Sequence, residues 1–152
     1  MQNDEILKPG ITGFTRYPDK FDEQDYKEFE MYLYHALRLK RGKVISKELL
    51  VNNKSFFTYL IKINQNQYYL LLNSTYPLLA FATNVDYSGI EFIDPIDLFD
   101  TNLLSPYKIL RKELLNKLIN MSEIKRLRDY EIKNIRYWNP GTIGEVIFNY
   151  WD

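Results

Sequence analysis

The feature that most constrains this chain lies between residues 55 and 93, where short apolar segments alternate with short polar links. Residues 55–63 and 67–73 are dense in aromatic and β-branched side chains, the mark of strands. The polar trio Asn64-Gln65-Asn66 between them reads as a hairpin turn. Residues 78–83 read as a third strand, Asp86-Tyr87-Ser88-Gly89 as a turn cluster, and residues 90–93 as a fourth strand. Residues 44–51 offer a further one. A parallel return needs a crossover of about a dozen residues, so links this short predict antiparallel pairing.

Helical patterns flank the strands. Tyr26, Phe29, Leu33 and Leu37 recur at helical spacing within residues 22–40. Asp22, Glu23 and Asp25 crowd the start of this segment and Arg38, Lys40 and Arg41 its end, which complements the helix dipole. Gly42 stands where a C-terminal cap is expected. A second long helix is predicted from Ser105 and Pro106, with Tyr107, Leu110, Leu114, Leu118 and Met121 spaced by three and four. Ser122 starts a further turn or a separate short helix with Ile124 and Leu127. Residues 130–138 alternate, which reads as a late strand. Asn139-Pro140-Gly141 is a turn, and Thr142 with Glu145 forms a capping box opening a short helix. The expectation is an α+β fold in a single domain spanning residues 1–152. An antiparallel sheet of four to six strands packs against two long helices, a short C-terminal helix closes the core, and residues 1–20 form an irregular N-terminal arm.

Composition removes several classes of chemistry. The chain has no cysteine, which excludes disulfides, thiolate nucleophiles and cysteine-ligated zinc. No apolar run approaches the ~18 residues of a membrane span, and residues 1–10 carry no signal-peptide pattern. The expectation is a cytoplasmic protein with no membrane partner. His35 is the only histidine and points away from the apolar stripe of its helix. No Gly-x-Ser-x-Gly turn accompanies it, so no catalytic residue is assigned. The series Asp94, Asp97, Asp100 lacks the glycine and closing glutamate of a calcium loop, and Gly141-x-x-Gly144 is too short for a phosphate-binding loop. No metal or cofactor is expected. A carboxylate-based hydrolase stays as the weakest alternative, because 20 acidic residues make some pairs inevitable.

The zero net charge hides an uneven distribution. Residues 86–100 carry five acids and no Lys or Arg, whereas residues 105–137 carry nine bases against four acids. Such separation marks partner faces or, more blandly, solvated faces or two segments that neutralise each other. The basic stretch 108–136 leads into Lys125-Arg126-x-Arg128…Lys133…Arg136-x-Trp138, which interleaves bases with aromatics as in proteins that bind single-stranded nucleic acid. A nucleic-acid-associated protein is therefore the alternative function, although a pI of about 6.6 lacks the expected basic footprint.

The closing string Arg136-x-Trp138-x-Pro140-x-Thr142-x-Gly144-Glu145-x-x-Phe148-Asn149-x-Trp151-Asp152 resembles the end of small bacterial immunity proteins of polymorphic or contact-dependent toxin systems. Tyr69–Leu72, continuing through Tyr76-Pro77 to Phe81, is similar in character. The resemblance implies a compact cytoplasmic α+β protein that binds and blocks one cognate toxin without catalysis. It carries no interface residues over. The candidate partner surface comes from the charge pattern instead: Glu91, Asp94, Asp97 and Asp100, with Tyr87 as an aromatic anchor. Trp138, Ile147 and Trp151 are expected to be packing residues.

Overall fold

The computed structural model describes residues 6–50, 54–99 and 107–151. Asp100, Ser105 and Pro106 lie outside the described residues. Helix α1 (Tyr26–Leu39) starts where Asp25 accepts the N–H groups of Lys27 and Glu28 at 3.1 and 3.2 Å. It ends in a Schellman closure: Arg41 N–H donates to Arg38 and Gly42 N–H to Leu37. Arg41 takes the left-handed conformation there, at φ 58°, not the expected Gly42. What Gly42 supplies is room, since a Cβ would sit 2.8 Å from the Lys62 carbonyl oxygen and 2.9 Å from Leu37 Cδ2.

The strands form a meander in sequence order: β1 (Lys43–Glu48), β2 (Phe56–Ile63), β3 (Asn66–Asn73), β4 (Leu78–Asp86) and β5 (Gly89–Ile93), each antiparallel to the next. Asn64 and Gln65 both take positive φ in a two-residue turn, the geometry that follows strand twist. Alternation splits the sheet into two buried faces. Phe57, Tyr59, Ile61, Leu70, Leu72, Leu79 and Phe81 pack with Phe29, Leu33 and Leu37 of α1. Phe56, Leu71, Ala80 and Phe92 pack on the other side with the C-terminal elements and the N-terminal arm. Burial on both faces explains why β3 and β4 read as continuous apolar runs.

The predicted second long helix does not exist within the described residues. Lys108–Ile109 is instead a short strand, β6, parallel to the start of β4, with Lys108 N–H on the Pro77 carbonyl and Leu110 N–H on that of Leu79. Only Lys112–Leu115 (α2) and Met121–Ile124 (α3) are helical. The reason is tertiary. Tyr107 packs against Phe29 and Tyr32 on the α1 face, whereas Leu110 and Leu115 belong to the opposite face. One helical stripe cannot serve both sides of a sheet, so the chain crosses its edge. Asn120 then accepts the Ser122 N–H and restarts the helix as α3.

The expected late strand is also overturned: residues 129–138 form helix α4 (Asp129–Trp138). Asp129 and Glu131 favour its first turn, and Asn139, at φ 50°, ends it ahead of Pro140. Helix α5 (Ile143–Ile147) opens with the predicted box, Thr142 accepting Glu145 N–H at 3.3 Å and Glu145 accepting Thr142 N–H at 3.0 Å. Gly144 lets α5 approach Phe92 and the Leu115 carbonyl, because a Cβ would meet them at 2.6 and 2.8 Å.

The N-terminal arm is irregular yet firmly packed. Leu7, Ile11 and Thr12 are buried. The buried Glu131 carboxylate accepts Gly10 N–H, Thr12 N–H and the Thr12 hydroxyl, and also caps Arg128 N–H. Asn149 Nδ2 donates to the Thr12 carbonyl, and Asn73 Nδ2 to the carbonyls of Ile11 and Ile147. The arm, the sheet and the chain end are thereby tied together.

Candidate functional site

The five residues singled out from the charge pattern do not converge. Tyr87 sits at the tip of the β4–β5 hairpin and is 76% exposed. Glu91, in β5, accepts the Thr83 hydroxyl at 2.6 Å. Asp94 accepts Lys112 N–H at the start of α2. Asp97 pairs with Lys40 at the end of α1, at 3.1 Å. Asp100 lies outside the described residues. Asp94 and Asp97 therefore serve opposite faces of the molecule. The basic stretch is dispersed as well: Lys108 lies in β6, Arg128 pairs with Asp19 at 3.2 Å, and Lys133 and Arg136 ride on α4.

Tyr87 does border a cleft of about 400 Å³ between the β4–β5 hairpin and the chain end. The hairpin is fixed by Asp86, whose Oδ1 accepts the N–H groups of Ser88 and Gly89 at 2.8 and 3.2 Å. The Ser88 hydroxyl and N–H bonds hold the Asp86 carboxyl below its ordinary range. This turn leaves the Tyr87 ring projecting, with its centroid 4.6 Å from that of Tyr150. Phe92 and Phe148 form the floor, and Trp138 and Trp151 the far wall. Burial first, then the charges of Glu48, Tyr87 and Asp86, push the Tyr150 hydroxyl up to about 12, so it remains a neutral donor at pH 7.

Trp138 corrects the packing expectation. It is 39% exposed at the end of α4, edge-on to the 78% exposed Tyr137. Ile147 is fully buried, and Trp151 is half-buried, stacked on Phe14 with centroids 6.4 Å apart. The sequence carried a signal for this wall: Tyr137-Trp138 and Tyr150-Trp151 are adjacent aromatic pairs, of which the first is exposed at both positions and the second half-buried at both.

The charged lining residues of the cleft are Asp86 and Glu145, with no cation among them. Both carboxylates are already engaged, Asp86 by its turn and Glu145 by Gly141 and Thr142 N–H groups at 2.9 and 3.0 Å. The cleft thus offers aromatic faces and negative potential; it does not pair a free base with a free acid. Lys54 is the one buried amine in the neighbourhood among the described residues. Burial lowers its pKa, while Glu48 pairs with it and the Phe56 ring lies 4.7 Å away. His35 is exposed on α1. No group of three or more His, Asp or Glu residues that could hold a metal ion occurs among the described residues. No helix among them is long and apolar enough to cross a membrane.

Against this geometry, comparison with known proteins adds no assignment: no family model, no curated protein and no solved structure matches the chain.

Proposed function

We propose that this chain is a non-enzymatic, cytoplasmic binding protein that docks one protein partner through the Tyr87 cleft. The observation that carries the reading is the make-up of that cleft: exposed aromatics on rigid backbone, rimmed by carboxylates and by no cation. Tyr and Trp on a pre-formed surface are the residue types that dominate interface energetics. The negative rim suits a partner presenting Lys or Arg, whose approach it accelerates and orients. The resemblance of residues 136–152 to bacterial immunity proteins supports a cognate toxin as that partner. The closing motif itself serves as scaffold in this reading. Thr142 and Glu145 cap α5, Gly144 permits its packing, and Phe148 and Asn149 hold the sheet to the arm, so the wall carrying Tyr150 and Trp151 is rigid.

The test is titration calorimetry against the protein encoded by the neighbouring reading frame. Tyr87→Ala and Trp138→Ala should each weaken binding by about tenfold or more with the thermal midpoint unchanged, as expected of exposed hot-spot aromatics. Unchanged affinity in both variants would sink the cleft as the interface. A steep salt dependence of binding to single-stranded nucleic acid would favour the alternative function instead.

A further inference from the structure

A second surface, on the other side of α4, has the opposite character. Between α3, α4 and the 139–141 turn runs a groove of about 380 Å³. Its floor is Ile124 and Ile135, and its walls are Leu118, Ile119, Met121 and Ile132. Leu118 is 74% exposed, yet its backbone is pinned: it bridges Thr142, Ile119 N–H donates to Gly141, and Ile143 N–H donates to Lys117. A leucine held outward by the two backbone bonds of that bridge is displayed, since a free segment would fold it into the adjoining groove.

The rim is basic. Arg136 is the charged residue of the lining. Lys133 stands one helical turn before it, Lys125 shares a helix face with Met121, and Lys117 precedes Leu118. All four are exposed, and none forms an ion pair or side-chain hydrogen bond among the described residues. By contrast Lys40, Lys47, Lys54 and Arg128 all have carboxylate partners. The acids beside them are Asp129, one turn ahead of Lys133 on α4, Glu123, two residues after Met121 in α3, and Glu145, which is held by the Gly141 and Thr142 N–H groups, so the bases exceed the acids by one.

We infer that this groove is a docking site for an acidic amphipathic helix of a partner protein, distinct from the Tyr87 cleft. The excess of bases selects carboxylates, and the concave apolar floor takes a row of Leu, Ile or Phe side chains from the helix. Below the displayed Leu118 and Met121 the groove is recessed to Ile124 and Ile135, a depth that the side chains of a helix fill and a flat lipid surface does not.

The probe is a synthetic helical peptide with a leucine stripe flanked by glutamates, compared with its lysine counterpart and with phosphatidylserine–phosphatidylcholine vesicles. The glutamate peptide should shift the amide resonances of Leu118, Met121 and Arg136 and bind at least ~tenfold more tightly than the lysine peptide. Added salt should weaken it. Leu118→Glu should abolish binding and leave the thermal midpoint intact, since Leu118 is exposed, and Lys117→Glu with Arg136→Glu should do the same. Tyr87→Ala should leave the peptide's affinity unchanged, which separates this site from the cleft. Equal affinity for both peptides, indifference to Leu118→Glu, or no binding of the glutamate peptide at roughly 1 mM overturns the inference. Binding to vesicles but not to the peptide overturns it in favour of a membrane contact.

Discussion

The two faces of the sheet each bury one glutamate, and the two are held in different ways. On the α1 face, Glu30 accepts the Tyr59 hydroxyl at 2.9 Å and the Lys47 amine at 2.8 Å. These partners are side chains no more than 29 positions away in sequence. On the other face, Glu131 accepts backbone N–H groups of the N-terminal arm across 121 and 119 positions. The first face is closed by one long helix whose apolar stripe supplies its own driving force. The second is assembled from both chain ends and several short helices, none of which buries enough to be stable alone. Buried polar bonds replace the long helix there, and the cleft and the groove both lie on this assembled side.

Deleting residues 139–152 tests the comparison hardest. It removes Ile143, Val146, Ile147 and Phe148 from the assembled face, together with the Asn149 bonds. Each large buried apolar side chain is worth roughly 2–5 kcal/mol on truncation, so the loss exceeds a typical domain's stability. The expected result is a chain without a cooperative urea transition. A normal transition would show that the assembled face is dispensable.

Glu131→Ala comes next. It leaves the N–H groups of Gly10, Thr12 and Arg128 without their acceptor, at about 1–3 kcal/mol each. Partial relaxation of the arm brings the expected loss to about 4 kcal/mol in urea unfolding, in line with breaking a buried charged network. Glu30→Ala should cost less, about 1–3 kcal/mol, since the buried Tyr59 hydroxyl alone loses its acceptor while Lys47 is exposed and can turn to water. Equal losses would mean that the two faces are built alike.

The smallest effect is in pH. Tyr150 on the assembled face and Tyr107 on the α1 face are both raised to about 12 by burial, from an ordinary value near 10. A raised folded-state pKa stabilises fully below the unfolded value and is lost above it. The stabilisation from these two hydroxyls should therefore hold to about pH 10 and fall between about 10 and 12. Tyr150→Phe and Tyr107→Phe should each flatten part of that slope in alkaline urea titrations. A slope unchanged by either would mean that the alkaline loss lies elsewhere.

The strand meander was legible because its signals are local. Asn64 and Gln65 form the turn their polarity suggested, and the aromatic and β-branched runs on either side pair as β2 and β3. Asp25, Thr142 and Glu145 cap helices from within a few residues. The second long helix was misread because its apolar spacing satisfies a helical template while its residues belong to different faces. The late strand was misread because residues 130–138 fit both periods over so short a span. Among the candidate site residues, Tyr87 could be placed from its turn cluster. Asp94 and Asp97 share a sequence run but not a surface, because the chain after β5 leaves the sheet between them and their nearest partners.

The sequence by itself determined the antiparallel sheet, helix α1, the capped α5 and the chemistry that cysteine's absence removes. These depend on periodicity, turn residues and caps, which act within a few positions. Only the tertiary structure decided where residues 107–138 run, that the N-terminal arm is nailed to Glu131, and that Tyr87 meets Tyr150 across a cleft while Leu118 is displayed beside a basic rim. Those outcomes rest on contacts between segments far apart in the chain, and which of them forms depends on what each face of the sheet still lacks.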